Sequence, residues 1–221
     1  CDKAGDSYQI LVGASLKIEV KIGKIQDIQV TGEHAGVVLP ANTSFDEQCI
    51  RDKQSSLGAF FQEHFRDVVD KIHTEIRSAA IQATGKQPDE FKEADPGTTI
   101  FLDQPIGRAF KVLVTAVTRI DADGRIVADT LSLIASIKQV CRFASQHRIS
   151  HLYMPVLGTG HGGLDFSTAL SLLLVQGAYC VLREGNHHIH HITIVVYDPN
   201  SRKTAIVDRI VRSVAEILEG G

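Results

Sequence analysis

The 221-residue sequence predicts an α/β fold, a three-layer α/β/α sandwich with a mixed, mostly parallel central sheet. In the second half of the chain, apolar runs typical of strands alternate with segments of helical periodicity, a pattern that indicates parallel strands beneath helices. The first half instead opens with strands, and short turns between strands indicate antiparallel pairing. The length suits one domain, so we expect residues 1–221 to form a single domain.

Strands and one long helix are predicted for the first half of the chain. Residues 8–12 and 16–22 are rich in β-branched side chains, and the second segment alternates apolar and polar residues. Residues 36–39 form a continuous apolar run, which is consistent with a buried strand. Residues 42–55 are polar and aperiodic and are interpreted as a long loop. Apolar residues then recur at three- and four-residue spacing and predict one helix over residues 56–83.

The second half supplies the remaining elements of the sandwich. We predict strands at residues 98–102, 110–120, 151–156 and 192–197, and helices at residues 129–146, 166–183 and 204–219. Turns are expected at residues 103–107 and 121–124. Asp165 or Ser167 is a suitable N-cap for the helix at 166–183.

Composition excludes several classes of protein. A net charge of −3 and scattered basic residues argue against a nucleic-acid partner. The four cysteines show no CxxC spacing, and Cys141 and Cys180 fit helical core positions. So few cysteines in a chain of this length argue against a disulfide framework, which indicates a reducing, cytoplasmic setting. No apolar run reaches the roughly 18 residues of a membrane span. The sequence begins at Cys1 rather than Met, so we expect it to be a fragment of a longer protein.

A glycine-rich loop follows the predicted strand at residues 151–156. Four of the six residues from Gly158 to Gly163 are glycine, and glycine lets the backbone approach a ligand closely. The helix predicted to follow has free N–H groups and a positive dipole end at its start, which favour phosphate. Nucleotides bind at the carboxyl ends of strands in such sheets. The loop therefore predicts an anion site, with a purely structural turn as the alternative.

Two other nucleotide-binding motifs are excluded by their context. Gly158, Gly160 and Gly163 match the G-x-G-x-x-G spacing, but a dinucleotide-binding unit carries that motif in its first β-α turn. Here only one strand and one helix follow the loop's own helix. A P-loop is excluded because Leu164 and Asp165 stand where Lys and Ser or Thr would follow the last glycine.

A second candidate constellation follows the buried strand at residues 36–39. The strand leads to Asn42, whose amide offers two donors and an acceptor and so suits ribose hydroxyls. The alternative is that Asn42 only forms a turn. The next predicted helix opens on small residues and is a second candidate helix start for phosphate. Its residues are Ser55, Ser56, Leu57 and Gly58.

The two constellations together resemble the macro domain, an ADP-ribose-binding module of α/β/α architecture. The resemblance lies in Val-Val-x-x-Ala-Asn ending at Asn42 and in Pro-x-x-Gly-Thr-Gly-x-x-Gly beginning at Pro155, and the element order fits nearly the whole chain. It implies that Asn42 contacts the distal ribose and that Tyr197, with Asp198 beside it, stacks on adenine. It also implies a late loop that wraps the diphosphate and distal ribose. The loop residues are Pro155, Leu157, Gly158, Thr159, Gly160, His161, Gly162 and Gly163.

The sequence departs from the family pattern in two places. Gly23-Lys24-Ile25 stands where macro domains carry Gly-Asp-Ile, whose aspartate reads the adenine amino group. Ser55-Ser56-Leu57-Gly58 replaces the glycine run that helps position the scissile bond in hydrolytic members, and the stretch 43–54 before it is longer than usual. The first departure argues against that adenine contact, and the second favours ligand binding over hydrolysis.

Residues 39–46 and 56–61 resemble more particularly the divergent macro domains of bacterial Thoeris anti-phage effectors. Those domains follow N-terminal transmembrane helices and sense ADP-ribose-derived signals that TIR-domain enzymes make from NAD. The resemblance implies a cytoplasmic domain that a region upstream of Cys1 tethers to the inner membrane. It also leaves room for a ligand-driven homo-oligomer.

Histidines and one cysteine give weaker signals. The histidines at positions 187, 188, 190 and 191 invite a metal interpretation, but no Cys, Asp or Glu lies among them, and a solvated loop is favoured. Cys49 is interpreted as a loop thiol because nothing in the sequence places a histidine beside it. His161 lies within the glycine loop and is a candidate donor to phosphate or to a group on the distal ribose.

Three functions remain open at this level. The favoured one is a non-catalytic sensor that binds an ADP-ribose-derived nucleotide signal, with residues 43–54 closing over a group on the distal ribose. The second is a hydrolase acting on ADP-ribosylated protein or O-acyl-ADP-ribose. The third is an interaction domain with a degenerate pocket. Neither a metal nor another cofactor is expected.

Overall fold

The structure is a computed structural model that describes residues 2–5 and 7–219, so Cys1 lies outside it. Its strands are β1 (Asp2–Ala4), β2 (Ser7–Val12), β3 (Leu16–Ile22), β4 (Ala35–Asn42), β5 (Thr99–Leu102), β6 (Lys111–Ile120), β7 (Ile126–Ala128), β8 (His151–Pro155) and β9 (His191–Val196). Its helices are α1 (Glu47–Arg51), α2 (Ser56–His64), α3 (Val69–Thr84), α4 (Thr130–Gln146), α5 (Phe166–Leu182) and α6 (Thr204–Glu219).

All nine strands of the described residues form one sheet, in the order β1-β2-β3-β9-β8-β4-β6-β5, with β7 pairing with β6. The five central strands, β3, β9, β8, β4 and β6, are mutually parallel. Antiparallel pairs extend the sheet on both sides, β1 and β2 next to β3, and β5 and β7 next to β6. The predicted mixed, mostly parallel sheet is confirmed, and the carboxyl ends of the central strands meet at one edge.

Two apolar clusters identify the outer layers of the sandwich. Helices α4, α5 and α6 bury Leu133, Leu170 and Val207 in a cluster with sheet residues such as Ile18 and Ile194. Helices α2 and α3 bury residues that include Phe61 and Ile72 in a second cluster with Leu39 and Val112 of the sheet. Side chains alternate between the faces of a strand, so the central sheet has apolar residues on both sides.

Aspartate caps fix the starts of helices α4 and α5. The Asp129 carboxylate accepts the Ser132 N–H at 2.8 Å at the start of α4, and Asp165 accepts the Thr168 N–H at 2.8 Å at the start of α5. Asp165 is thus the N-cap of α5, one of the two residues that the sequence indicates. Each cap satisfies a backbone donor that the helix itself leaves unpaired.

The predicted single helix over residues 56–83 is wrong, because the chain breaks between α2 and α3. The backbone leaves helical geometry at Phe65, where φ is −135°. A short 3₁₀ turn over Arg66–Val68 precedes α3. The Arg108 guanidinium donates to the carbonyl oxygen of His64 and lies 5.4 Å from the Phe65 ring centroid. This distant side chain stabilises the end of α2.

Short elements account for the other differences. Residues 42–55 were expected to form a loop, but they contain α1, whose start is capped by Asp46. Strands β1 and β7, of three residues each, were not predicted. Five or fewer residues are too few to show a period of 3.6 or 2 clearly. Among the described residues, no helix combines the length and the apolar character needed to cross a bilayer.

Candidate functional site

A cleft of about 730 Å³ lies at the carboxyl edge of the parallel strands. Its wall includes residues from the ends of β4, β8 and β9, from the glycine loop and from the segment around α1 and the start of α2. Residues 23–26, which follow β3, and side chains from β6 and β7 complete it. The cleft is therefore at the position where nucleotides bind in open α/β sheets.

The glycine loop is folded tightly against β6 and β7. A Cβ atom at Gly162 would lie 2.7 Å from the carbonyl oxygen of Gly158 and 2.8 Å from the Ala128 Cβ, which is closer than real Cβ contacts. The Gly162 carbonyl accepts the Ala128 N–H at 2.9 Å, and the Gly158 carbonyl accepts the Leu164 N–H at 3.1 Å. Gly162 is thus required by close packing, which brings the loop backbone to the cleft.

Four consecutive N–H groups of this loop remain available. Thr159, Gly160, His161 and Gly162 all line the cleft. Within residues 2–5 and 7–219, no protein acceptor is found for the N–H of any of the four. Successive backbone N–H groups in a loop form a binding site for anions.

The start of α5 was expected to offer free N–H groups to an anion, but one of them is already bonded to a side chain of the protein. The Asp165 carboxylate accepts both the N–H and the hydroxyl of Thr168, at 2.8 and 2.9 Å. These hydrogen bonds lower the pKa of Asp165. A carboxylate therefore already occupies this helix start.

Asn42 is held at the end of β4 by the segment that contains α1. Its side chain is 7% exposed, and its Nδ2 donates to Asp46 Oδ2 at 2.8 Å. The other oxygen of Asp46 accepts the Cys49 N–H at 2.8 Å. The Asn42 Oδ1 is buried and has no hydrogen-bond partner among the described residues. This oxygen is an unpaired acceptor on a residue that lines the cleft.

Cys49 also lines the cleft, on α1 rather than on the expected loop. Burial raises the pKa of its thiol to about 12, and the nearby Asp46 and Asp52 carboxylates act in the same direction. A backbone hydrogen bond involving Asn42 opposes this rise but does not overcome it. The thiol is therefore protonated at neutral pH, whereas a nucleophile must be a thiolate.

At the start of α2, two of the four predicted residues line the cleft. Ser55 and Ser56 form part of its wall. The Ser55 hydroxyl accepts the Gly58 N–H at 2.9 Å and so caps the helix. Leu57 is buried in the apolar core, and a Cβ at Gly58 would lie 2.1 Å from the Asp52 carbonyl oxygen. Gly58 is therefore explained by a close backbone approach and lies outside the cleft wall.

His161 connects the two sides of the cleft. Its Nε2 lies 3.5 Å from Asp52 Oδ2, so the glycine loop meets the connection between α1 and α2. Both side chains remain partly exposed, at 45% for His161 and 32% for Asp52. A contact between side chains this exposed stabilises the fold little. Both side chains remain available to a ligand.

Aromatic and basic side chains meet near the end of β9. Tyr197 lines the cleft and is 55% exposed, and its carbonyl accepts a hydrogen bond from Lys203 Nζ at 2.9 Å. The same ammonium lies 5.0 Å from the Phe166 ring centroid. Asp198 lies outside the wall, because its carboxylate accepts N–H groups of Arg202, Lys203 and Thr204 at 2.8 to 3.0 Å. It caps the start of α6.

The structure brings most of the predicted residues to one cleft. Those that line it are Asn42, Ser55, Ser56, Pro155, Gly158, Thr159, Gly160, His161, Gly162 and Tyr197. Those that lie outside the wall are Leu57, Gly58, Leu157, Gly163 and Asp198. Lining residues that the sequence analysis did not single out include Phe166 and Lys203, and also Asp46, Asp52 and Lys53, which lie in the stretch 43–54 that was expected to close over the ligand. Of these, Asp46 had a usable signal, since an aspartate directly before a helical segment is a preferred N-cap.

The charged groups of the cleft are mixed, and no metal cluster is present in the described part of the chain. Lys24, Lys53 and Lys203 line the cleft, together with Asp46 and Asp52. Over the described residues, no group of three or more His, Cys, Asp and Glu side chains is arranged to hold a metal ion. The histidines at 187, 188 and 190 are exposed, and His191 pairs with Glu19 at 3.4 Å.

Comparison with known proteins gives a family and a fold. The family described as "Thoeris protein ThsA, Macro domain" has a model that matches residues 18–197. No curated protein matches the chain in sequence. A macrodomain of Oceanobacillus iheyensis, solved with ADP, is similar at a TM-score of 0.69 and 15% identity, covering 96% of this chain and 97% of that one. A Trypanosoma brucei macrodomain in complex with ADP-ribose is similar at a TM-score of 0.61 and 15% identity, covering 89% and 68% of the two chains.

Proposed function

The chain belongs to the macro-domain family of Thoeris protein ThsA, and on that premise we propose that its cleft binds ADP-ribose or a nucleotide derived from it. The observation that carries the proposal is the row of four N–H groups at residues 159–162, which have no acceptor within the described residues. They are on residues that line the cleft. A diphosphate offers several acceptor oxygens to such a row.

The charges of the cleft support a diphosphate ligand. Lys24, Lys53 and Lys203 all line it and can offset the negative charge of two phosphates. Lys24 stands in the position where macro domains carry the aspartate that reads adenine. A cation at this position favours the phosphate part of a ligand over a contact with the adenine amino group.

Two separate side chains of the cleft suit the two nucleoside-like parts of ADP-ribose. Tyr197 is exposed beside Phe166 and Lys203 and provides an aromatic face for adenine. Asn42, at the end of β4, provides an amide for the distal ribose. The solved macrodomains with ADP and with ADP-ribose share this fold and support the ligand class.

The proposed biological role is that of a sensor. The family name points to Thoeris anti-phage defence in bacteria, in which TIR-domain enzymes make ADP-ribose-derived signals from NAD. We propose that such a conjugate binds here and that binding is transmitted to an effector region, through self-association of the domain. In this proposal the domain is cytoplasmic, and a region upstream of Cys1 tethers it to the inner membrane.

Isothermal titration calorimetry tests the binding proposal. ADP-ribose is expected to bind more tightly than ADP, because only ADP-ribose carries the distal ribose that Asn42 can contact. Conjugates of ADP-ribose are expected to bind at least as tightly as ADP-ribose. Absence of binding by all of these ligands at millimolar concentration would contradict the proposal.

A turnover assay separates the sensor from the hydrolase alternative. The protein is incubated with O-acetyl-ADP-ribose and with ADP-ribosylated protein, and the products are separated by chromatography. The sensor proposal expects the ligand to be recovered intact. Hydrolysis by the wild type that is lost in Asn42→Ala would establish the alternative instead.

A further inference from the structure

The Asn42 side chain has only one chemically allowed orientation in this structure. Its amide faces Asp46 at 2.8 Å, and an ionised carboxylate accepts hydrogen bonds but donates none. The group that faces Asp46 must therefore be the Nδ2 donor. The Oδ1 acceptor is directed elsewhere, and it is buried without a partner among the described residues.

The position of Asp46 is itself fixed from two sides. Its second oxygen accepts the Cys49 N–H at 2.8 Å and so caps α1. The residue before it, Phe45, has a left-handed backbone with φ at 47° and a ring that is 1% exposed. A bulky residue rarely adopts this backbone, and the buried ring holds it there. These two contacts hold the Asp46 carboxylate facing Asn42.

We propose that Asp46 is a positioning residue that makes Asn42 a hydrogen-bond acceptor towards the ligand, so that the cleft selects nucleotides with a free hydroxyl at this point. The inference rests on the proposed function and names a ligand class within it. A free ribose hydroxyl donates to Oδ1. An ester, an ether or a fluorine at the same position only accepts, and leaves Oδ1 buried and unpaired.

The proposed signal differs from ADP-ribose by an additional group on the distal ribose, and the orientation of Asn42 limits where that group can be attached. If Asn42 requires a free hydroxyl, that group is attached to a different carbon of the distal ribose. The affinity for ADP-ribose alone does not test the orientation of the Asn42 amide, because a ribose hydroxyl can both donate and accept a hydrogen bond. The measurement must compare a hydroxyl with a group that only accepts.

The probes are ADP-ribose and two analogues in which fluorine replaces either the C2 hydroxyl or the C3 hydroxyl of the distal ribose. The wild type is expected to prefer ADP-ribose over one of these analogues by about tenfold or more, the value of one hydrogen bond to a buried polar group. ADP, which lacks the distal ribose, serves as a control for the rest of the cleft.

Two variants reverse and restore the orientation. In Asp46→Asn, the new amide still accepts the Cys49 N–H, so its nitrogen faces Asn42, and the Asn42 amide turns its own nitrogen to the ligand. Discrimination against the fluorinated analogue is expected to fall to about threefold or less. In Asn42→Asp/Asp46→Asn, an acceptor faces the ligand again, and the tenfold preference is expected to return.

The outcomes are distinguishable. Loss of discrimination in Asp46→Asn, with recovery in the double variant while both variants still bind ADP, supports the proposal. If Asp46 had a purely structural role, Asp46→Asn would weaken the binding of ADP and of ADP-ribose together, and the double variant would not restore it. That result would overturn the proposal. Asp89→Asn, at an exposed position outside the cleft, is the matched control. If the wild type binds neither ADP nor ADP-ribose, the proposed function itself fails.

Discussion

The imidazole rings of His151 and His191 stack with their centroids 3.8 Å apart, on neighbouring strands and outside the cleft wall. Burial lowers the pKa of His151 to about 4, and the adjacent His191 and Lys17 add to this effect while Glu19 opposes it. Burial also lowers the pKa of His191, despite its pairing with Glu19 at 3.4 Å. Two histidines are thus held uncharged next to each other.

This stack predicts that the folded state loses stability in mild acid. Because the pKa of His151 is lower in the folded chain than its ordinary value of 6.5, the unfolded chain binds more protons between pH 6.5 and about 4. The free energy of unfolding is therefore highest above pH 6.5 and falls as the pH decreases towards 4. The lowered pKa of Glu19 acts in the same direction in the acidic part of this range.

Urea denaturation at several pH values between 7 and 4 measures this dependence. His151→Gln removes one of the two titrating rings and is expected to flatten the curve. His187→Gln, at an exposed position, is the control and should keep the wild-type slope. A wild-type stability that stays constant over this range would contradict the prediction.

The packing of the glycine loop predicts that alanine destabilises the fold at Gly162 but not at Gly160. Gly162→Ala places a Cβ 2.7 Å from the Gly158 carbonyl oxygen and 2.8 Å from Thr118 Cγ2, so the loop must move. We expect about 1–3 kcal/mol of destabilisation, typical of overpacking, and a loss of ADP affinity. Gly160→Ala meets no atom within 4 Å, and its unfolding free energy should be unchanged.

Thermal unfolding and calorimetry with ADP compare the two variants. Gly160→Ala keeps the fold, so any loss of affinity in this variant reports close approach of the ligand to the loop. Equal stability of the two variants would show that the packing against β6 and β7 does not constrain the loop as described. The pair thus separates the packing requirement from the ligand requirement.

Sequence alone predicted the parts of the fold that depend on local patterns. Alternating apolar residues indicated β3 at residues 16–22, and its bounds are as expected. Asp165 had the character of an N-cap and acts as one. The last predicted helix, residues 204–219, coincides with α6. In each case the determining interaction is between residues a few positions apart.

The features that were missed or misread depend on distant residues or on short elements that the sequence did not predict. The end of α2 is stabilised by Arg108, which lies 44 residues beyond His64 in sequence. Gly58 was interpreted as a ligand contact, but the Asp52 carbonyl, brought close by α1, explains the glycine. The approach of Lys203 to Phe166 likewise exists only after α5 and α6 have packed on the sheet. No periodicity or motif encodes such distances.

Tyr197 is predicted to bind the part of the ligand that ADP and ADP-ribose share. Its side chain is 55% exposed at the cleft, so Tyr197→Ala should leave the free energy of unfolding within about 0.5 kcal/mol of the wild type. Loss of a stacked ring costs about 1–3 kcal/mol in comparable base–aromatic contacts. We therefore expect the affinities for ADP and for ADP-ribose to fall by the same factor, about tenfold.

Calorimetry with both nucleotides checks this prediction, and Tyr179→Ala is the matched control, because Tyr179 is 50% exposed on α5 and does not line the cleft. Asn42→Ala provides the contrast, since it should weaken ADP-ribose alone. If Tyr197→Ala weakened ADP-ribose but not ADP, Tyr197 would lie next to the distal ribose, and the orientation proposed for the ligand would have to be reversed.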